Sequence, residues 1–360
     1  MLSGLTVAVK DVMALAGHAT GYGNPFYLEQ APVNKHHAEV VQQLLDAGAS
    51  VQGISHSDEF AYSLDGVNEH YGASPNRLDR DRLGGGSSSG SASAVAWGFA
   101  DIGLGTDTGG SIRIPAAYQG LYGIRPTHGA VSVEGVLPMA ASFDSVGWLT
   151  KDARLLRHVG EVLLPDGEST AGRDFVVVPE LLALAAPQVR EPVGSFAHHI
   201  GAREESWPGI SLDHLSDFVI LQAFEVWSTL GPWVSKNLDH IGHDVRERFE
   251  MAALIGERDA AEARMSLSTL RELLLDWLGD RVLVLPTAPT LAPKFTDDLS
   301  VVRGQIQRLA CVSGITGAPA LSIPLAAAQG LSAGVCLLAA PGRDRLLLDL
   351  AVELADEPSH

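Results

Sequence analysis

Two glycine-rich runs hold most of the side chains in this sequence that could do chemistry. The first is Gly84-Gly85-Gly86-Ser87-Ser88-Ser89-Gly90-Ser91; the second runs Gly103-Leu104-Gly105-Thr106-Asp107-Thr108-Gly109-Gly110-Ser111-Ile112-Arg113. Gly and Ser together can make a flexible linker, but apolar, ordered-looking sequence follows each run directly. A phosphate cradle would need a Lys after its glycines, or a G-x-G-x-x-G straight after a strand. Neither run has the Lys, and Asp107 would repel phosphate. Gly86-Ser87-Ser88-Ser89-Gly90 also fits the G-x-S-x-G elbow with Ser88 attacking, yet that elbow must follow a buried strand. Asp79-Arg80-Asp81-Arg82 stands there instead. Read together, the runs suit another chemistry. Thr108-Gly109-Gly110-Ser111 can aim successive backbone N–H groups at one point, because glycine permits the tight backbone, and aligned donors stabilise an oxyanion. Ser111 at its end could then be a nucleophile, which requires a base.

The lysines are Lys10, Lys35, Lys151, Lys236 and Lys294, and Lys10 differs from the rest by ending the apolar run Leu5-Thr6-Val7-Ala8-Val9. Desolvation disfavours an ammonium, so a lysine in such a place can lose its proton near neutral pH and act as a base. The alternative is a strand-end lysine whose amine reaches water. Other candidates carry less. His36-His37 and His198-His199 are adjacent pairs that cannot share one helix face, although His240 and His243 could. With no H-E-x-x-H and no Cys/His set, neither a metal nor a cofactor is expected. Cys311 and Cys336 lie in apolar stretches and read as buried thiols. Trp207, Trp227, Trp233 and Trp277 read as core, with one of them a candidate wall for an aryl group.

Ordered elements must position these groups. Strand-like residues 5–9 and 50–54 flank an amphipathic helix over 38–48 that stops at Gly48, which is the signal of a βαβ unit. Residues 151–280 read as mostly helical, with apolar residues repeating at three and four over 155–164, 215–230, 245–255 and 260–278. Strands return at 281–286, 320–325 and 333–338, and a helix over 345–354 closes the chain. Strands at both ends with helices between predict one sheet assembled from distant segments. The expected fold is therefore a single α/β domain over 1–360, with a mixed twisted sheet covered by helices on both faces.

The 360 residues are 46% hydrophobic and 19% charged, so a sizeable core is expected and bulk disorder is not. Lys+Arg 25 against Asp+Glu 43 leaves a net charge of −18. No basic run supplies phosphate contacts, which argues against a nucleic-acid partner and against an anionic membrane surface. No stretch approaches the ~20 apolar residues of a membrane span, and the start lacks the pattern of a signal peptide. A cytoplasmic protein is expected.

Gly85-Gly86-Ser87-Ser88-Ser89-Gly90-Ser91-Ala92, followed by Gly105-Thr106-Asp107-Thr108-Gly109-Gly110-Ser111-Ile112-Arg113-Ile114-Pro115-Ala116, resembles the signature of the amidase signature family. Thr6-Val7-Ala8-Val9-Lys10-Asp11 is similar to the family's catalytic-lysine strand. The resemblance implies amide hydrolysis by a Ser–cis-Ser–Lys triad: Ser111 as nucleophile, Ser87 as the bridging serine with a cis peptide bond, Lys10 as base. It implies an oxyanion hole from the N–H groups of Thr108, Gly109, Gly110 and Ser111. Around these, Ser88 is expected near the Lys10 amine, Asp107 pairing with Arg113 or bracing the loop, and Phe60 where the family offers a backbone carbonyl to the substrate amide. Ser89 departs from the pattern, standing where Gly is usual.

The resemblance is densest from Gly4 to about Pro165, and the middle helices match poorly. Residues 1–150 are thus expected to be the catalytic signature core, 151–280 a substrate-side region, and 281–360 the strands that complete the sheet. Gly21-Tyr22-Gly23-Asn24-Pro25, Asp58-Glu59-Phe60-Ala61-Tyr62-Ser63 and Gly123-Ile124-Arg125-Pro126-Thr127-His128 look closest to plant-type amidases that hydrolyse indole-3-acetamide. The expected partner is a small-molecule amide, with carbamates, esters, an ammonia-supplying amidotransferase role and a non-catalytic binding role as alternatives. The chain begins almost at the lysine strand, as a short or trimmed form would, and a homodimer is the assembly left open.

Overall fold

The computed structural model describes residues 2–166, 173–207 and 215–356. β1 (Thr6–Lys10) leads through the short α1 (Pro25–Gln30) and α2 (Glu39–Asp46) to β2 (Ser50–Ser55). β1 and β2 are parallel neighbours, so the expected βαβ unit forms. α2 buries Val40, Val41 and Leu44, the three- and four-residue spacing that turns one stripe of a helix inward. A small hairpin follows, β3 (Val67–Asn68) with β4 (Gly72–Ala73). The first glycine-rich run then enters α3 (Ser89–Trp97), and the second spans β5 (Ile102–Asp107) and the start of α4 (Arg113–Gln119).

Beyond α4 come β6 (Tyr122–Arg125), β7 (Ser145–Thr150), α5 (Ala153–Leu163), β8 (Asp174–Val177), α6 (Pro179–Leu182), α7 (Pro187–His199) and β9 (Arg203–Glu204). The helices α8 (Leu215–Asn237), α9 (His243–Ala252) and α10 (Glu257–Leu278) precede β10 (Arg281–Pro286). The chain closes through α11 (Ser300–Thr316), β11 (Ala320–Ala326), β12 (Ser332–Leu338) and α12 (Asp344–Asp356).

Ten strands make one mixed sheet in the order β2-β1-β5-β7-β6-β11-β12-β10-β8-β9. It is parallel at both ends, β2-β1-β5 and β10-β8-β9, and antiparallel between. β5, β7 and β12 are buried along their whole length, as strands covered on both faces must be. Strands from the two ends of the chain therefore share one sheet in a single α/β domain. The described residues of the middle region are mostly helical, as their periodicity predicts, but β8 and β9 leave it to form the far edge of the sheet. Phe175-Val176-Val177 is too short an apolar run for period to separate strand from helix.

One packing detail fixes the geometry of the site. α3 crosses β5 at Gly103 and Gly105, and a Cβ on Gly105 would overlap the Ser88 side chain. Glycine in β5 lets the loop before α3 press against the strand that precedes Ser111. Among the described residues, no helix is long and apolar enough to cross a membrane.

Candidate active site

Lys10 ends β1 with no exposed surface. Its Nζ lies 2.8 Å from Ser87 Oγ and 2.9 Å from Thr106 Oγ1. Burial pushes the amine down from 10.5 to about 7, against the opposing pull of Asp58, Asp107 and Asp144. The amine does not reach water, so of the two readings of Lys10 the buried one holds. A neutral amine at this distance can take the proton of the Ser87 hydroxyl.

The Gly86–Ser87 peptide is cis. Asp58 holds this segment from the other side: its N–H donates to the Ser87 carbonyl at 3.2 Å, and a Cβ on Gly86 would overlap its carboxylate. Asp58 is fully buried, with Oδ2 accepting from Gly66 N–H at 3.0 Å. Burial raises its carboxyl to about 6, and the nearby charge of Asp65 adds to that. Ser88 N–H donates to the Ser111 carbonyl at 3.2 Å, which brings the two runs together directly beside Ser87.

Ser88, expected near the Lys10 amine, sits beside the two residues that meet that amine, Ser87 in sequence and Thr106 in space, and makes its own bonds to backbone. Its hydroxyl donates to the Thr106 carbonyl at 3.2 Å and accepts from Thr106 N–H at 3.3 Å. It fastens β5 rather than the Lys10 amine, whose second partner is the Thr106 hydroxyl. A buried loop hydroxyl is drawn to the backbone groups it leaves dry.

Asp107 is the organiser of the second run. Its carboxylate accepts from the N–H groups of Gly110 (2.9 Å), Ile112 (3.1 Å) and Arg113 (3.3 Å), and from Arg113 Nε (3.0 Å) and Nη2 (2.9 Å). Arg125 lies 3.5 Å from it as an ion pair and donates to its backbone carbonyl. Burial alone would raise this carboxyl, but Arg113 and Arg125 overcome that and hold it far below the usual carboxylate range. Asp107 thus pairs with Arg113 and braces the loop at once. One consequence corrects the expected oxyanion hole: the Gly110 N–H is spent on Asp107, since a buried carboxylate recruits its nearest donors. For the N–H groups of Gly109 and Ser111, no acceptor is found among the described residues.

Ser111 and Gly109 open onto a cavity of about 440 Å³. Its walls come mostly from apolar side chains: Leu64, Met139, Phe218 of α8, Met251 of α9 and Ile255 just beyond it, with Gln222, Arg248 and Arg303 as polar groups. Among the described residues, no tryptophan lines it. The Phe60 side chain lies outside this wall. Its ring is fully buried among Tyr22, Tyr27, Trp233 and Phe249, with centroids 5.5–5.9 Å away, and its neighbours Ala61 and Tyr62 take the wall instead. Phe60 and Ala61 both have left-handed backbone, φ 51° and 54°, a conformation that costs non-glycine residues energy and recurs beside functional sites.

Among the described residues there is no group of three or more His, Cys, Asp or Glu able to hold a metal, and Cys311 and Cys336 are free and buried. Four contributors escaped sequence reasoning: Thr106, Asp58, Arg125 and Asp144. Asp144 accepts from Thr108 Oγ1 at 2.6 Å and from the N–H groups of Met139 and Ala140. A buried acid without a lysine or arginine nearby in sequence carries no signal of its surroundings.

Residues 1–189 match the family model described as Amidase. The chain is 35% identical to Amidase 1 of Arabidopsis thaliana, over 98% of this chain and 93% of that protein. It is 31% identical to one component of the glutamyl-tRNA(Gln) amidotransferase of Symbiobacterium thermophilum, over 97% of this chain and 82% of that protein. A solved crystal structure of an amidase superposes with a TM-score of 0.89 at 29% identity, covering 99% of this chain and 85% of the other.

Proposed function

The chain belongs to the amidase signature family, and on that premise we propose that it hydrolyses small carboxylic amides to acid and ammonia through a seryl acyl-enzyme. Neutral Lys10 takes a proton from Ser87 as Ser87 takes one from Ser111, and the Ser111 oxygen attacks the carbonyl carbon. The N–H groups of Thr108, Gly109 and Ser111 receive the developing oxyanion. Each such donor is worth about 3 kcal/mol in the transition state. As the carbon–nitrogen bond breaks, the relay returns its proton to the leaving nitrogen, and water then frees the acid by the same path.

The observation that carries this reading is the 2.8 Å contact between the fully buried Lys10 amine, lowered to about 7, and the Ser87 hydroxyl. No other lysine is buried beside a serine of the glycine-rich runs among the described residues. The apolar wall of the 440 Å³ cavity supports an aryl acyl group, such as that of indole-3-acetamide or phenylacetamide. A cavity lined this way gains from apolar surface removed from water, at roughly 25 cal/mol per Å².

Ammonia release from a panel of primary amides tests this, with Ser111→Ala alongside. The panel holds indole-3-acetamide, phenylacetamide, benzamide and short aliphatic amides. Release that depends on Ser111 is the expected result, with arylacetamides leading. Silence across the panel, with folding verified, would overturn it. A second reading, favoured by the similarity to an amidotransferase component, is release of ammonia from glutamine for a partner protein. Glutamine added to the panel and preferred as donor would select it.

A further inference from the structure

α8 turns one face to the cavity at Ser111. Phe218 and Gln222 stand one helical turn apart on it, with Val219 and Ala223 beside them, as four-residue spacing requires. Three of these residues are apolar, and Gln222 is not. It is only 8% exposed, and its carboxamide makes no hydrogen bond among the described residues. Its Nε2 lies 3.6 Å from the point where a Cβ on Gly109 would stand. Apart from Gly109 and its chain neighbours, no other heavy atom of the described residues comes within 4 Å of that point. The other polar side chains of the cavity are engaged or wet. Arg303 pairs with Asp65, and Arg248 donates to the Tyr62 carbonyl. Ser63 Oγ accepts from Asp65 N–H at 3.3 Å, and Gln307 is half-buried, so water can reach it.

We propose that Gln222 determines the specificity of this cavity, and that the acyl group it selects is aromatic with one neutral hydrogen-bonding group, an N–H or O–H, on its ring. This rests on the acyl-enzyme reading above. A buried carboxamide left unpaired has lost the hydrogen bonds it makes in water, so a plain hydrocarbon ring pressed against it is disfavoured. A ring that carries a donor at the right place restores one such bond and keeps its apolar contacts with Phe218 and Met139. The carboxamide has an oxygen that accepts and an NH2 that donates, so a hydroxyl can pair with it in either sense. A charged substituent suits it less, because Gln222 brings no opposite charge to offset desolvation. Gln222 and Ser111 line one cavity, so a ring bonded to Gln222 lies within reach of a carbonyl held at the Gly109 loop.

The test measures kcat/KM for phenylacetamide and its 2-, 3- and 4-hydroxy derivatives in the wild-type chain and in Gln222→Met. Methionine keeps the reach of the side chain without its amide. In the wild-type chain, at least one hydroxy isomer should exceed phenylacetamide by roughly ten- to a hundredfold. Gln222→Met should lower that isomer and raise phenylacetamide, closing the gap to within about threefold. Gln222→Leu repeats the measurement should the first variant fail to fold. Wild-type rates that no hydroxyl improves would overturn the assignment, with water then the partner of Gln222. A preference that survives in Gln222→Met would overturn it too. So would an equal fall in kcat on all four amides, which would mark Gln222 as a donor to the oxyanion. These three results leave the acyl-enzyme reading standing, whereas absence of Ser111-dependent cleavage of all four amides would remove both.

Discussion

The proposed relay and the cavity wall differ in almost every physical respect, although they meet at Ser111. Around the relay, Lys10, Asp58, Ser87, Ser88 and Asp107 have no exposed surface, and the loop from Asp107 to Arg113 is held by five hydrogen bonds to one carboxylate. The wall is apolar, partly open, and drawn from α8, α9 and α11, with Met251 64% exposed. Buried polar groups must satisfy one another, so a single arrangement survives. Apolar side chains of similar volume can replace each other at modest cost. The contrast teaches where this fold keeps its chemistry invariant and where it can change substrate.

The largest effect should come from Ser111→Ala, with kcat reduced on the order of 10⁴-fold or more. Binding of an unreactive aryl amide analogue, measured by calorimetry, should persist, because the apolar wall is untouched. Loss of both together would break the contrast at once. Lys10→Met should follow, reducing kcat by about 10²- to 10⁴-fold. In the wild-type chain, kcat/KM should fall as pH drops through about 7, where the Lys10 amine takes up a proton. Activity that stays flat down to pH 5 would remove Lys10 as the base.

The same substitution has a stability signature with a definite sign. The folded-state value of Lys10 is depressed from 10.5 to about 7, so the cost of burying its charge is complete below about 7 and fades as pH rises toward 10.5. Lys10→Met should therefore melt higher than the wild-type chain in mild acid, with the gap closing in alkali. Arg113→Met works the other way. It strands the buried Asp107 carboxylate and should destabilise by about 3–5 kcal/mol in denaturant titration.

Asp58→Asn sharpens the contrast within the relay. The Asp58 charge raises the Lys10 value, so its removal should move the acid limb of the pH profile to lower pH, by roughly half a unit to one unit. An unmoved limb would show that Asp58 acts only through packing on Gly86. The smallest effect should come from the wall. Phe218→Leu should change the ratio of kcat/KM for phenylacetamide over acetamide by about three- to tenfold, with kcat for acetamide nearly unchanged. An equal fall on both substrates would mean that the wall and the relay are one unit.

The residues of the proposed relay stand in short patterns: a lysine closing an apolar strand, and serines among glycines that permit tight backbone. The βαβ unit at the start and the strands at 281–286 and 333–338 were legible from period and composition. What was misread follows a common cause. The Gly110 N–H looked available until the Asp107 carboxylate, three residues earlier, was seen to accept it. The partners of the Ser88 hydroxyl in β5 and of the Phe60 ring in the aromatic cluster also lie beyond any local pattern. β8 and β9 were hidden by their shortness.

By itself, then, the sequence determined the chemical inventory of this protein, the local conformations glycine allows, and the family to which those motifs belong. Only the tertiary structure decided the rest. The Lys10–Ser87 contact joins positions 77 residues apart, and Arg113 reaches the carbonyl of Ala310 across 197. Patterns along a chain report neighbours in sequence and the periods of helix and strand. Burial, which sets the Lys10 amine near neutrality, and cavity volume, which sets what can bind, depend on how side chains from distant segments fill shared space.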